Sequence, residues 1–316
     1  MNERSVRVRV PATSANLGPG FDALGIACTI YNEMTLTLTP EPGLNIAARG
    51  EGAAYIPTDA RNIVWKSIQY LLQRADCMDE FRGAKIHMSN RIPLSRGLGS
   101  SATAIVAGLT AANAIVGNPF SRHDLLQLAT DIEGHPDNVA PAIYGGFTVN
   151  TVTDNYVECF SFLPRILIHF VVMVPDFYLS TKSARQVLPS EVPMKDAIFN
   201  ISHASMLTAA LARGSERHLE NAFEDALHQN YRAPLIPGMF DVFAAARKAG
   251  AYGAVLSGAG PCLIAFVPEH RNCTEEVAAA MRKAFRAHDV DARPLHLHLD
   301  TKGARILRRK DSLVRG

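Results

Sequence analysis

The stretch Pro93-Leu94-Ser95-Arg96-Gly97-Leu98-Gly99-Ser100-Ser101-Ala102-Thr103 carries the clearest chemical signal in this 316-residue chain. Before it, Ala84, Ile86 and Met88 alternate with Lys85, His87 and Ser89, the period of a half-buried strand. After it, residues 101–116 are almost all small or apolar and stop at Gly117, the pattern of a buried helix with a glycine stop. A glycine-rich turn between strand and helix leaves the first N–H groups of the helix unpaired and aimed into the turn, where the helix dipole also favours negative charge. Such a turn is a phosphate site. It lacks the lysine of the common nucleotide loop, so backbone, hydroxyls and a metal ion would have to hold a nucleotide instead. The same stretch is compatible with a tight turn closed by serine caps.

The elements around this loop follow from periodicity. Val6, Val8 and Val10 predict a strand that stops at Pro11, followed by a polar, glycine-punctuated loop from Ala12 to Asp22. Strands are expected through Met34, Leu36 and Leu38 and at 44–48, then a helix whose face carries Ile63, Val64, Ile68, Leu71 and Leu72. Ser121 and Asp124 start a capping-box helix that breaks at Gly134, and Glu133-Gly134-His135-Pro136-Asp137-Asn138 reads as a charged loop. A strand at 147–152 follows, and the pattern changes between Asp154 and Pro164, which divides the chain into domains at 1–160 and 161–316. The second half predicts strands at 166–174, 254–256, 263–267 and 295–299, with helices at 194–212, 216–229, 239–249 and 275–287. The Ser257-Gly258-Ala259-Gly260-Pro261 turn lets backbone pass close beside the 97–101 phosphate loop, or forms a simple tight hairpin.

A net charge of +2 from nearly balanced acids and bases argues against nucleic acid or an anionic membrane as a partner. The basic run from Arg305 to Arg315 reads as a solvated end. Five cysteines without C-x-x-C spacing argue against a zinc site or a disulfide framework and fit a reducing compartment. With no signal-like apolar segment after Met1 and no apolar run near the roughly twenty residues of a membrane span, a soluble cytoplasmic protein is expected.

The loops Asn16–Asp22, Gly97–Ser101 and Ser257–Pro261 together resemble the GHMP kinases, small-molecule kinases named for galactose, homoserine, mevalonate and phosphomevalonate. Two blocks resemble the homoserine kinase branch in particular: Val10-Pro11-Ala12-Thr13-Ser14-Ala15-Asn16-Leu17-Gly18-Pro19-Gly20-Phe21-Asp22, and Asp137-Asn138-Val139-Ala140-Pro141 followed by Gly145-Gly146-Phe147. The resemblance covers nearly the whole chain, from residue 6 to about 268, and its blocks come in the family's order. The resemblance implies an α+β, two-domain GHMP kinase fold, with an N-terminal domain like ribosomal protein S5 domain 2 and a ferredoxin-like C-terminal domain. It implies ATP and Mg2+ as cofactors and L-homoserine as substrate, phosphorylated on its hydroxyl on the way to threonine, and it allows for a homodimer.

Site roles follow from the resemblance residue by residue. The 93–103 loop would cradle the phosphates, Ser100 and Glu133 would hold magnesium, and Asn62 and Val64 would lie on the adenine side, although Asn62 reads equally well as a plain helix cap. Magnesium prefers a carboxylate with phosphate oxygens and water, which suits Glu133. Arg185 and Arg232 would take the substrate carboxylate, since a guanidinium binds both oxygens. Asn16, Asp22 and His135 would complete the pocket, and Thr181 would orient the phosphoryl group. Asn138 stands where some relatives place an aspartate base, so direct transfer to a hydroxyl oriented by Asn16 and Asp22 is favoured, with Asp137 and then His135 in reserve. A GHMP kinase for another alcohol, an ATP-dependent mevalonate-pathway decarboxylase and a binding protein without turnover are the alternatives. The intact glycine loop with Glu133 argues against the last.

Overall fold

The computed structural model describes residues 4–311. The first half runs β1 (Arg4–Ala15), β2 (Leu24–Thr39), β3 (Gly43–Gly50), α1 (Ile63–Arg74), β4 (Gly83–Asn90), α2 (Ser100–Ile115), α3 (Arg122–Glu133), α4 (Pro136–Tyr144), β5 (Phe147–Thr153) and β6 (Tyr156–Phe162). The second half runs β7 (Ile168–Pro175), α5 (Thr181–Gln186), α6 (Met194–Arg213), α7 (Glu216–Leu219), α8 (Gln229–Arg232), α9 (Met239–Lys248), β8 (Gly253–Leu256), β9 (Leu263–Pro268), α10 (Thr274–Arg286), β10 (Ala292–Leu297) and β11 (Arg305–Asp311).

Two sheets carry these elements. Among the described residues the first has seven strands, ordered β11-β1-β2-β4-β3, with β5 and β6 branching from β2; the second has four, ordered β10-β7-β9-β8. Counted along the second half, that order is 4-1-3-2 with every neighbouring pair antiparallel, the ferredoxin-like arrangement. The apolar run through β7 is unbroken because both of its faces are buried. Phe170, Val172 and Val174 pack toward Leu17, Ile26 and Leu98 of the first half, while Val171 and Met173 pack toward α9 and α10. The two halves therefore share a core, which fixes their facing loops relative to each other.

Four local expectations are corrected. Pro11 does not end β1; the strand continues to Ala15 with a register shift at Pro11/Ala12, where β11 no longer flanks it and no donor is needed. The charged loop after Gly134 is helical from Pro136, because proline at the first helical position gives up an N–H that would be unpaired anyway. Of the helix expected over 216–229 only the single turn α7 forms; the chain is non-helical until α8 starts at Gln229, and just before it the Asp225 carboxylate takes the N–H groups of Leu227, His228 and Gln229 in place of helical carbonyls. The basic tail is not a loose end as far as Asp311: β11 pairs antiparallel with β1. Its remainder, to Arg315, lies outside the described residues.

Candidate active site

Three loops distant in sequence meet at one point. Gly99 has φ 66° and gives α2 no side-chain cap, so the first amides of that helix are left to the turn. At Gly97, φ is 80° and a Cβ would lie 2.1 Å from the carbonyl oxygen of Ser257, so only glycine lets the 257–261 turn cross here. The crossing is stitched by Ser257 Oγ donating to Gly97 O (2.7 Å), by Cys262 N–H on Arg96 O (3.1 Å) and by Gly258 N–H on Ala15 O (3.2 Å). Thr13 N–H meets Leu98 O at 3.2 Å and joins the opening loop to the same point. The result is a cavity of about 310 Å³ with the α2 N-terminus in its wall.

Glu133 closes one side. As the last residue of α3 it accepts a hydrogen bond from Ser101 Oγ (2.9 Å), so the hydroxyl on this carboxylate belongs to Ser101 and not to Ser100. Burial pushes the Glu133 carboxyl above its ordinary range, with Ser101 and His135 opposing. His135 caps α4 and its Nδ1 lies 2.5 Å from the buried Asp137 carboxylate. Burial alone would lower the His135 pKa, but the Asp137 hydrogen bond and the charges of Asp137, Glu133 and Asp22 outweigh it and leave the ring above its usual value. Asn138 donates to Asp137 (3.3 Å) and accepts from Thr13 Oγ (2.8 Å), so its amide braces the loops.

The opposite side is built from both halves. Asn16 is nearly spent internally: its amide donates to Gly258 O (2.9 Å) and its carbonyl accepts from Asp22 N–H (2.9 Å). Asp22 receives both terminal nitrogens of Arg185 at 2.8 and 3.0 Å, and this carboxylate holds the Arg185 pKa above its ordinary value. The two residues expected to take opposite ends of a substrate are thus paired with each other. Arg232 is buried, with Nε on Ala184 O (3.0 Å) and Nη1 near His228 Nδ1 (3.1 Å); burial, then the Arg185 charge, push its pKa down to about 10. Both guanidiniums lie over the Phe21 ring, at 5.6 Å and 5.3 Å. Thr181 begins α5 at the rim, one residue after the Ser180 cap.

Asn62 caps α1, accepting from Val64 N–H (2.9 Å) and donating to Pro57 O (2.6 Å), and both Asn62 and Val64 line the cavity, as do Ile56 and Met88. Ser95, Arg96, Ser100 and Thr103 line it as well, although Arg96 reaches out to Pro175 O (2.6 Å) and the Tyr178 ring, and the Thr103 hydroxyl is turned back to Ser100 O (2.9 Å). Pro93, Leu98 and Ala102 are buried outside the lining and serve the loop as packing. Phe21, Asn32 and His228 were missed. Asn32 accepts from the N–H groups of Arg91 and Ile92 and so holds the entry to the loop. The available signals were an aromatic beside Asp22 and a histidine one helical turn before Arg232.

Comparison with known proteins matches this geometry to a family. Residues 62–146 fit the model of the GHMP kinases N terminal domain and residues 206–287 that of GHMP kinases C terminal. The homoserine kinase of Carboxydothermus hydrogenoformans is 44% identical over 299 residues, covering 95% of this chain and 96% of its own. That of Desulfitobacterium hafniense is 41% identical, covering 96% of this chain and all of its own. The crystal structure of homoserine kinase from Cytophaga hutchinsonii superposes with a TM-score of 0.87 at 30% identity, over 96% of this chain and 97% of that one. Mevalonate diphosphate decarboxylase from Staphylococcus aureus shares the fold, with a TM-score of 0.72 at 16% identity over 97% of this chain and 99% of its own. The chain belongs to the homoserine kinases, within the GHMP kinase family.

Proposed function

We propose that the cavity aligns ATP and L-homoserine for transfer of the terminal phosphoryl group to the homoserine hydroxyl, giving ADP and O-phospho-L-homoserine. One observation carries the assignment of ends: a matched cation and anion, Arg185 and Asp22, face the same cavity as an uncapped helix N-terminus. A zwitterion can replace that pair charge for charge, its carboxylate taking Arg185 and the buried Arg232 while its ammonium takes Asp22. An alcohol with one charge would leave the other partner unmatched, which costs binding free energy. The hydroxyl of an amino acid held this way is left free to face α2.

The loop would bind phosphate through the α2 amides. Glu133 is suited to a cation because its carboxylate is partly desolvated and has a neutral hydroxyl as its hydrogen-bond partner. Magnesium held there, with Ser100 nearby, would supply charge neutralisation to the phosphates. The chain's own contribution is orientation. Asn16 fixes Asp22, Thr181 stands at the rim, and Asp137 is tied to His135 and Asn138, which favours direct transfer over a dedicated base. Asn62 and Val64 form the end assigned to adenine.

The test is ADP release with ATP and magnesium across homoserine, threonine, serine, mevalonates and sugars. Homoserine should give the highest kcat/KM. A mevalonate or sugar that exceeds it would replace the substrate assignment while leaving the fold and family unchanged.

A further inference from the structure

The loop carrying Asp22 is held from the second half by two side chains on its carbonyls. Asn200 donates to Pro19 O (3.0 Å) and His228 Nε2 donates to Gly18 O (2.8 Å). A carbonyl only accepts, so the proton of the neutral imidazole sits on Nε2 and Nδ1 carries a lone pair. That lone pair faces Arg232 Nη1 at 3.1 Å, and a guanidinium only donates. One tautomer therefore serves both neighbours, and a second ring proton would set N–H against N–H. Burial likewise pulls the His228 pKa below its ordinary value. Asp225 lies 3.6 Å from Nε2, but its oxygens are already taken by the N–H groups of Leu227, His228 and Gln229 and by Asn200. Phe21 completes the stack, its ring 5.1 Å from the imidazole and 5.3 Å from the Arg232 guanidinium carbon.

We propose that His228 is a positioning residue for Arg232: with Nε2–H on Gly18 and Nδ1 under the guanidinium, it ties the aim of Arg232 to the seating of the loop that bears Asp22. The inference rests on the reading that Arg232 meets the substrate carboxylate. The carboxylate-binding and ammonium-binding sides of the cavity would then be set by one buried ring instead of independently. Arg232 Nε is spent on Ala184 O (3.0 Å), so without the Nδ1 contact only the longer Nη1 bond to Gly258 O (3.4 Å) would oppose rotation of the guanidinium about that anchor.

The two amide replacements separate the two roles of the ring. In His228→Gln the amide nitrogen reaches the Nε2 position and can still donate to Gly18, but the Nδ1 acceptor is gone and Arg232 Nη1 keeps only the longer bond to Gly258 O. In His228→Asn the amide oxygen falls near the Nδ1 position and keeps that acceptor. The Gln variant should raise KM for homoserine about tenfold or more, with kcat and the ATP constant near wild type, and the Asn variant should recover most of the loss. In an Arg232→Ala background His228→Gln should add no further rise, because the two act as one unit. Equal KM values in the two His228 variants, or an undiminished His228 effect in that background, would overturn the proposal. Arg232→Ala with a wild-type KM would instead remove the substrate reading, and this inference with it. If His228→Gln does not fold, the imidazole ¹⁵N spectrum of the wild-type protein decides: a neutral ring protonated on Nε2 at neutral pH is required, and an Nδ1–H or doubly protonated ring refutes the arrangement.

Discussion

Replacing Asp22 by Asn tests the charge exchange at the centre of the proposed site. Asp22 holds Arg185 through two hydrogen bonds, with a little over a third of each side chain exposed. Solvent screens a pair this open, so its loss should cost the fold no more than about 1 kcal/mol, or roughly 2–4 °C in melting temperature. The substrate loses more. An ammonium deprived of its carboxylate forfeits a charged hydrogen bond of about 1.5–3 kcal/mol, which is roughly a 10- to 150-fold rise in KM for homoserine. The ATP constant should hardly move, since Asp22 is assigned to the ammonium and the adenine side is assigned to Asn62 and Val64. The assay is steady-state ADP release at saturating ATP with homoserine varied, run beside 4-hydroxybutanoate, which keeps the carboxylate and hydroxyl but lacks the amine. In wild type that analogue must break the Arg185–Asp22 pair and leaves Asp22 unmatched, whereas in Asp22→Asn it finds Arg185 already free. The variant should therefore handle the analogue at least as well as wild type while failing on homoserine. Equal losses on both substrates, or a homoserine KM within about threefold of wild type, would refute the exchange.

Glu133→Gln should cut turnover by at least about 100-fold with the fold retained, and wild-type turnover at ordinary magnesium would remove the metal assignment. The same variant reads out the electrostatics without activity. Because burial raises the folded-state pKa of Glu133 above its unfolded value, its favourable contribution belongs to low pH and is lost as pH rises through the folded pKa. In metal-free thermal melts Glu133→Gln should therefore be more stable than wild type near pH 7, with the gap closing toward about pH 4; a less stable variant at neutral pH would contradict the burial penalty on the Glu133 carboxylate. Gly97→Ala places a Cβ 2.1 Å from Ser257 O at φ 80°, so denaturant unfolding should show a loss of at least about 1–3 kcal/mol, and an unchanged midpoint would mean that the two loops do not cross as described.

What was legible in the sequence is what short-range rules encode. The α2 helix and its glycine turn, the Ser121–Asp124 capping box of α3, the alternating faces of β4 and the short, wholly buried apolar run of β9 all follow from neighbours within a few residues. The ferredoxin-like order and the three-loop meeting point came through resemblance, because no local periodicity carries a contact between residues 97 and 257. The failures divide by cause. Pro136 and the 216–229 segment turn on local chemistry that composition hides, a vacant first helical position and the Asp225 carboxylate on amides two to four residues ahead, whereas the basic β11 is ordered by a distant partner, the open edge of β1. Site residues behave alike. Asp22, Arg185 and Arg232 could be chosen by type, but that the first two satisfy each other depends on the shared core behind Leu17 and Phe170, which brings segments 163 residues apart into bidentate contact. His228 shows the limit most clearly. Its ring lies four residues from Arg232 in sequence, yet its function is set by a carbonyl 210 residues away, which fixes the tautomer and so decides that the lone pair meets the guanidinium.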